Sequence, residues 1–166
     1  MDAEWLSDEE RAAWVRLYAV SELLPGLLDA QLRRDSGLTH FEYFVLAMLS
    51  EAPERTLRMS DLASRTSATL PRLSHVVQRL ERRGLLERLP CPDDGRATNA
   101  YLTDQGWDVV VDAAPGHVAA VRHHVLAPLT PAQVKQLIRI GDALLTHLDP
   151  SGRLSGLLAP AGTSEG

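Results

Sequence analysis

Residues 67–102 constrain this chain more than any other stretch. Leu70, Leu73, Val76, Val77 and Leu80 recur at helical spacing, while Arg72, His75, Arg79, Arg82 and Arg83 fall largely off that stripe. Ser67 is expected to cap this helix, with Pro71 in the first turn, where a missing amide proton has no intrahelical acceptor to serve. Gly84 then stops it in the left-handed cap position. Beyond Gly84 the period shortens, and LLERL at 85–89 and TNAYL at 98–102 read as strands around the loop PCPDDGRA. A helix with one apolar and one basic face, followed at once by a hairpin with a projecting charged tip, fits few architectures.

The flanks read as helices. Ser7 and Glu10 form a capping box ahead of Trp14, Leu17, Tyr18, Leu24 and Leu28, and Pro25-Gly26 should kink or interrupt that helix. Thr39 and Glu42 open a short helix with Phe41, Phe44, Val45, Met48 and Leu49 as its apolar set. EAPERT at 51–56 reads as a turn or loop, and Ser60 as the cap of a third helix that turns Leu62 and Ala63 inward. Thr103 caps a long helix to about His124, bent at Pro115, and Thr130, Pro131 and Gln133 start a last helix ending near Leu148. Residues 150–166, rich in Gly, Ser, Pro and Ala, are expected to be disordered.

Charge is segregated along the chain. From Arg55 to Gln105 nine arginines face six acids, whereas the rest of the chain carries eight basic and sixteen acidic groups. The whole is acidic, with a formal charge of -5, which excludes a uniformly basic nucleic-acid binder. A basic middle in an acidic frame suits a local anion-binding face, with phosphate backbone and an ordinary solvated helix face as even readings of charge alone. Only Cys91 is a cysteine, which excludes an intramolecular disulfide and fits a reducing compartment. With no apolar run long enough to span a bilayer and no signal-like start, the expected location is the cytoplasm, with no membrane partner.

Two short helices, the second basic, followed by a two-stranded hairpin have the layout of a winged helix-turn-helix. A helix fits the major groove, and a thin hairpin can follow the neighbouring backbone or enter the minor groove. The candidate double-stranded DNA contacts are Ser67, Thr69, Arg72, Ser74, His75 and Arg79 on the reading helix, with Asp94 and Arg96 on the wing. Arg72 is the expected base reader, because arginine can be bidentate to guanine. In isolation DDGR is a polar turn with Arg96 balancing the acids. Between a basic helix and a capped one it reads as a wing, with Arg96 in the minor groove and Asp94 holding its guanidinium.

Residues 60–106, and within them RLERRGLLER, the Asp94-Gly95-Arg96 motif and LTDQG, resemble the MarR family of bacterial transcription regulators. The resemblance extends more weakly over residues 5–148 and implies a single domain that is mainly α with a small β-hairpin wing. Its winged helix-turn-helix lobe spans 56–105, and its helical dimerisation region is formed by 5–35 and 106–148. It further implies a homodimeric repressor of a near-palindromic operator, released by a small aromatic or phenolic effector. Asp94 and Arg96 take the wing roles by this resemblance. His75 departs from it, since many members carry Arg there, and an imidazole predicts a weaker, pH-sensitive contact.

The outer helices carry more apolar residues than a small core needs. Trp5, Trp14, Leu17, Leu24, Val121, Val125, Leu126, Leu137, Ile140, Leu144 and Leu145 are candidates for burial across a two-fold axis. An effector pocket would sit where these helices meet the DNA-binding lobe, near Trp14, Tyr18, His40, Tyr43, Phe44 and Arg65. His117, His123 and His124 lack the same-face spacing of a closed metal site, and no metal or other cofactor is expected. Cys91, between Pro90 and Pro92 and near Arg88 and Arg96, leaves a redox-responsive regulator of the same fold as an alternative, beside a metal-responsive one. No phosphate loop, His-Glu-x-x-His or nucleophile elbow supports an enzyme, and a dimeric module that does not bind DNA is the remaining class.

Overall fold

A computed structural model describes residues 5–154. Its elements are α1 (Asp8–Ser36), α2 (His40–Ser50), β1 (Thr56–Arg58), α3 (Met59–Arg65), α4 (Leu70–Arg82), β2 (Leu86–Cys91), β3 (Asp94–Leu102), α5 (Asp104–Val121) and α6 (Pro131–Leu148). The fold is mainly helical with a small antiparallel sheet, as the sequence led us to expect. Capping boxes open α1 at Ser7 and Glu10, α2 at Thr39 and Glu42, and α6 at Thr130 and Gln133. Pro25 does not interrupt α1, which continues through it for 29 residues to a left-handed Gly37.

The core gathers α2, α3, α4, the sheet and the middle of α5. Leu32, Leu38, Val45, Leu46, Leu49, Leu62, Leu73, Val77, Leu80, Leu86 and Leu102 are fully buried. The sheet has the order β1-β3-β2, with Leu57 opposite Ala100 and Glu87 opposite Tyr101. β1 takes Thr56 from the loop expected at 51–56, and the rest remains a turn in which Glu54 and Arg55 have φ of +52° and +53°. Three residues carry too little pattern to announce a strand. Pairing with β3 makes them one.

The hairpin is tighter than the sequence suggested. β2 and β3 run into the expected loop and leave Pro92-Asp93 as the turn, with Cys91 opposite Asp94. The expected caps at Ser60 and Ser67 are also corrected. Ser60 lies inside α3, whose N-cap Arg58 makes no side-chain cap bond. Ser67 sits at φ +49° in the turn, and Thr69 caps α4 by accepting the Arg72 amide at 3.4 Å. A residue in the left-handed region lacks the extended backbone that a capping side chain requires. Leu70, expected on the buried stripe, is half-exposed, because that stripe begins only at Leu73.

Gly84 ends α4 at φ +72°, and Thr103 joins this end to the next helix. Its hydroxyl donates to the Gly84 carbonyl at 2.7 Å and accepts the Gly106 amide at 3.0 Å. Gly106 packs so close to the Leu85 carbonyl that a Cβ there would overlap it. LTDQG is therefore a joint: a threonine cap and a glycine that lets α5 approach the start of β2.

α5 contains Pro115 and continues from Val121 into a π-helical turn at Arg122–Leu126. α6 buries no side chain, and Leu137, Ile138, Ile140, Leu144 and Leu148 along it are exposed. Trp5, Trp14, Val15, Leu17, Tyr18, Val20 and Leu23 are exposed on the N-terminal segment and α1. After α6, the Asp149 carboxylate accepts the Leu154 amide at 2.8 Å and the Arg153 guanidinium at 3.2 Å, closing a turn over 150–154. Most of the expected disordered tail, residues 155–166, lies outside the described residues. No helix among the described residues is long and apolar enough to cross a membrane.

Candidate nucleic-acid interface

Helix α4 presents three different faces. Leu73, Val76, Val77 and Leu80 form the buried one. On the side toward α2, the Arg72 guanidinium lies 4.4 Å from the centre of the Phe41 ring, Arg79 Nη2 is 3.1 Å from Glu42 Oε1, and Arg83 Nη1 donates to the Gly37 carbonyl at 3.3 Å. Opposite the buried face, Pro71, His75, Gln78 and Arg82 are exposed and follow one another at intervals of four, three and four residues. Arg72, the expected base reader, thus leans on α2 and stands beside the outward ridge. Gln78, on that ridge, is not among the contacts expected from the sequence, because it carries no charge and stands among arginines.

On its third side α4 forms a groove with the wing. Arg58, Ser60, Ser74, Arg88, Arg96 and Thr98 line it, so it is basic and rich in hydroxyls. Of these, only Ser74 and Arg96 are among the DNA contacts expected from the sequence. Arg88 donates from Nη2 and Nε to Glu81 Oε2, at 2.7 and 3.0 Å, which keeps the Glu81 carboxyl below its ordinary value.

The wing is braced differently from the sequence expectation. Asp94 Oδ1 accepts the Arg96 amide at 3.1 Å, and Asp94 Oδ2 lies 3.9 Å from Arg58 Nη2. The carboxylate therefore steadies the Arg96 backbone and faces Arg58 of β1, which lies between the loop expected at 51–56 and the helix expected from Ser60. The Arg96 side chain is exposed. Arg58 Nη2 also donates to Cys91 Sγ at 3.4 Å, and this hydrogen bond leads the contacts that lower the thiol's pKa. Cys91 is buried at the end of β2. Ser67, Thr69, Ser74 and His75 are exposed on the turn and the front half of α4.

The fold that carries this surface recurs in solved structures. One MarR-family regulator of Streptomyces coelicolor, Sco3205, solved in complex with DNA, is 44% identical, with 90% of this chain and 94% of that chain covered and a TM-score of 0.86. The HTH-type transcriptional regulator YfiV of Bacillus subtilis is 31% identical, with 86% of each chain covered. The family model described as MarR family matches residues 36–97. The chain belongs to the MarR family. Its members are transcription regulators and not enzymes, so the enzyme alternative falls away. A more distant relative, the HTH-type transcriptional repressor IacR of Pseudomonas putida, is 27% identical over 63% of this chain and 61% of its own.

Behind the interface of this MarR-family chain lies a second polar cluster. α2 meets α1 and α5 at its first turn, where the His117 ring stands 4.7 Å from the Tyr43 ring and 5.8 Å from the His40 ring. His40 is fixed through its backbone amide, which donates to Asp29 Oδ1 at 2.9 Å. Burial pushes both imidazoles below the ordinary histidine value, and His40 adds to the effect on His117. Burial also raises the Tyr43 hydroxyl. Gln31 Oε1 and His117 Nδ1 are buried without a hydrogen-bond partner.

Of the six expected effector residues, His40 and Tyr43 belong to this cluster. Phe44 packs against the hydrophobic core from the same helix. Trp14 and Tyr18 stack on each other with ring centres 5.9 Å apart. They precede Asp29 by 15 and 11 residues on α1, so the helix carries them about 22 and 16 Å along its axis from the His40 anchor. A single chain does not bring them to His40. Arg65 closes α3, half-buried. His117, noted in the sequence only as a metal candidate, enters because α5 lays it against α2. Among the described residues no group of three or more metal-binding side chains comes together.

Proposed function

We propose that this chain is a sequence-specific repressor that binds double-stranded DNA as a homodimer and is released by a small aromatic or phenolic effector. The observation that carries the reading is the joint surface of α4 and the wing. An exposed polar ridge fits a major groove, and beside it the groove lined by Arg58, Ser60, Ser74 and Arg96 suits a phosphate backbone. In this reading Ser67, Thr69, Ser74 and His75 meet DNA from the front of α4. Arg72 and Arg79 reach flanking phosphate from its side, and Asp94 holds the backbone of Arg96 for the minor groove. The DNA complex of the Streptomyces relative and the repressor name of the Pseudomonas relative support the same assignment.

The homodimer rests on the apolar residues that one chain leaves uncovered. Residues 5–35 and 106–148 carry most of them, including every large apolar residue exposed on α6. A two-fold partner covering them would place two α4 helices for two half-sites about one duplex turn apart. The effector reading rests on the cluster of His40, Tyr43 and His117. It offers aromatic faces and, on His117 of α5, a buried Nδ1 without a hydrogen-bond partner, against α2, whose Phe41 and Glu42 also brace Arg72 and Arg79 of α4.

Selection from a randomised duplex library at two salt concentrations tests the central claim. Recovery of a two-fold-symmetric site, with affinity falling steeply as salt rises, is the expected result. A retained pool without enrichment overturns it.

A further inference from the structure

Arg72 and Arg79 on α4 and Arg83 at its C-cap are obvious candidates for reading bases, and all three are engaged within the chain. Arg72 lies over Phe41, Arg79 meets the buried carboxylate of Glu42, and Arg83 caps the Gly37 carbonyl. Their shared side of the helix faces α2. The side chains that stand farthest from the buried stripe are Pro71, His75, Gln78 and Arg82. Arg82 Nε donates to the Gln78 carbonyl at 3.3 Å, which folds that arginine back along the helix. The wing closes the third side with the Glu81–Arg88 pair, so a base edge approaching α4 head-on meets the ridge first.

We infer that Gln78 is a specificity-determining residue of this interface and that it reads an adenine in each half-site. The inference rests on the DNA-binding reading above and adds the base and the residue. Gln78 makes no side-chain hydrogen bond within the described residues, so its amide is free to pair outward. A glutamine amide offers one donor and one acceptor side by side, which matches the N7 acceptor and the N6 donor that adenine shows in the major groove. Guanine shows two acceptors there and leaves the amide oxygen unpaired. Pro71, about two helical turns earlier on the same ridge, presents an apolar ring toward the groove, where a thymine methyl is the complementary group. Arg72 then serves as a flanking phosphate contact, without base preference.

The experiment repeats the duplex selection with the wild-type chain, Gln78→Ala, Gln78→Arg and Arg72→Ala. Gln78 is exposed, and alanine or arginine is a good helix former there, so the variants keep α4. The wild type should recover a motif with adenine fixed at one position of each half-site. Gln78→Ala should lose that preference, by about tenfold or more at the one base pair, while keeping the rest of the motif. Gln78→Arg should turn the same position to guanine. Arg72→Ala should weaken all sequences alike and leave the motif unchanged. The assignment is overturned if Gln78→Ala returns the wild-type motif or if Arg72→Ala erases a base preference. A wild-type pool that enriches nothing fails earlier, and it overturns DNA recognition itself together with this assignment.

Discussion

The carboxylate of Glu42, 5% exposed, lies 3.1 Å from the guanidinium of Arg79 and joins the first turn of α2 to the middle of α4. Its other oxygen accepts the Thr39 amide at 2.8 Å and completes the α2 capping box. One side chain thus starts a helix and orients another. Arg79→Ala leaves a buried charge without its cation and should cost about 1–3 kcal/mol of unfolding free energy in urea titration. A change under about 0.5 kcal/mol would place the pair among ordinary surface contacts.

The cap of α4 separates two neighbouring hydroxyls. Thr69→Ala removes the acceptor of the Arg72 amide and should destabilise by about 1 kcal/mol. Ser67→Ala removes no cap, since Ser67 occupies the left-handed turn, and should change stability by less than about 0.5 kcal/mol. Equilibrium denaturation of the two variants side by side decides which residue starts the helix.

Gly106→Ala tests the joint between the wing and α5. At an open helical site this exchange stabilises by up to about 1 kcal/mol. Here the added methyl would overlap the Leu85 carbonyl and press on the Leu102 side chain. A loss of about 2–3 kcal/mol is expected, and a gain measured by thermal unfolding would show that the joint is looser than described.

Protonation of the histidine cluster has a defined window. Burial holds His40 and His117 below the ordinary value of 6.5, so the unfolded chain takes up protons before the folded one as pH falls. Their contribution is complete above that value and is lost as pH falls through it toward the folded-state values. Asp29 and Asp35 are lowered from 3.8, chiefly through hydrogen bonds with Arg33 and Gln31, so their contribution disappears only in stronger acid. Urea midpoints measured at about pH 7.5 and 5.5 should fall for the wild type and fall less for His117→Gln. Equal falls in both proteins would remove the cluster as the cause.

What was legible in the sequence was local. Ser7 with Glu10, Thr39 with Glu42 and Thr130 with Gln133 each specify a helix start within four residues, and Gly84 specifies a stop. The pattern from Leu73 to Leu80 revealed the buried face of α4. β1 escaped notice because Thr56–Arg58 becomes a strand only through pairing with Asn99–Tyr101. At the interface, the position of α4 was readable while the partners of its arginines were not. Phe41, Glu42 and Gly37 lie some thirty to forty-six residues earlier in the chain, and no periodicity records that they pack alongside. The partner of Asp94 was misplaced for the same reason, since Arg58 reaches it across the sheet.

The order of α6 depends on what lies against it. An isolated helix of 18 residues is marginal in water, and this one buries no side chain in its own chain. Whatever covers its leucines and isoleucines therefore also keeps it wound. Where the cover is a second copy, mass action governs that order, and dilution should fray α6 before it disturbs the core around Leu46 and Leu80. The amount of protein in the cell then becomes a structural variable, setting how many chains hold a complete fold at any moment.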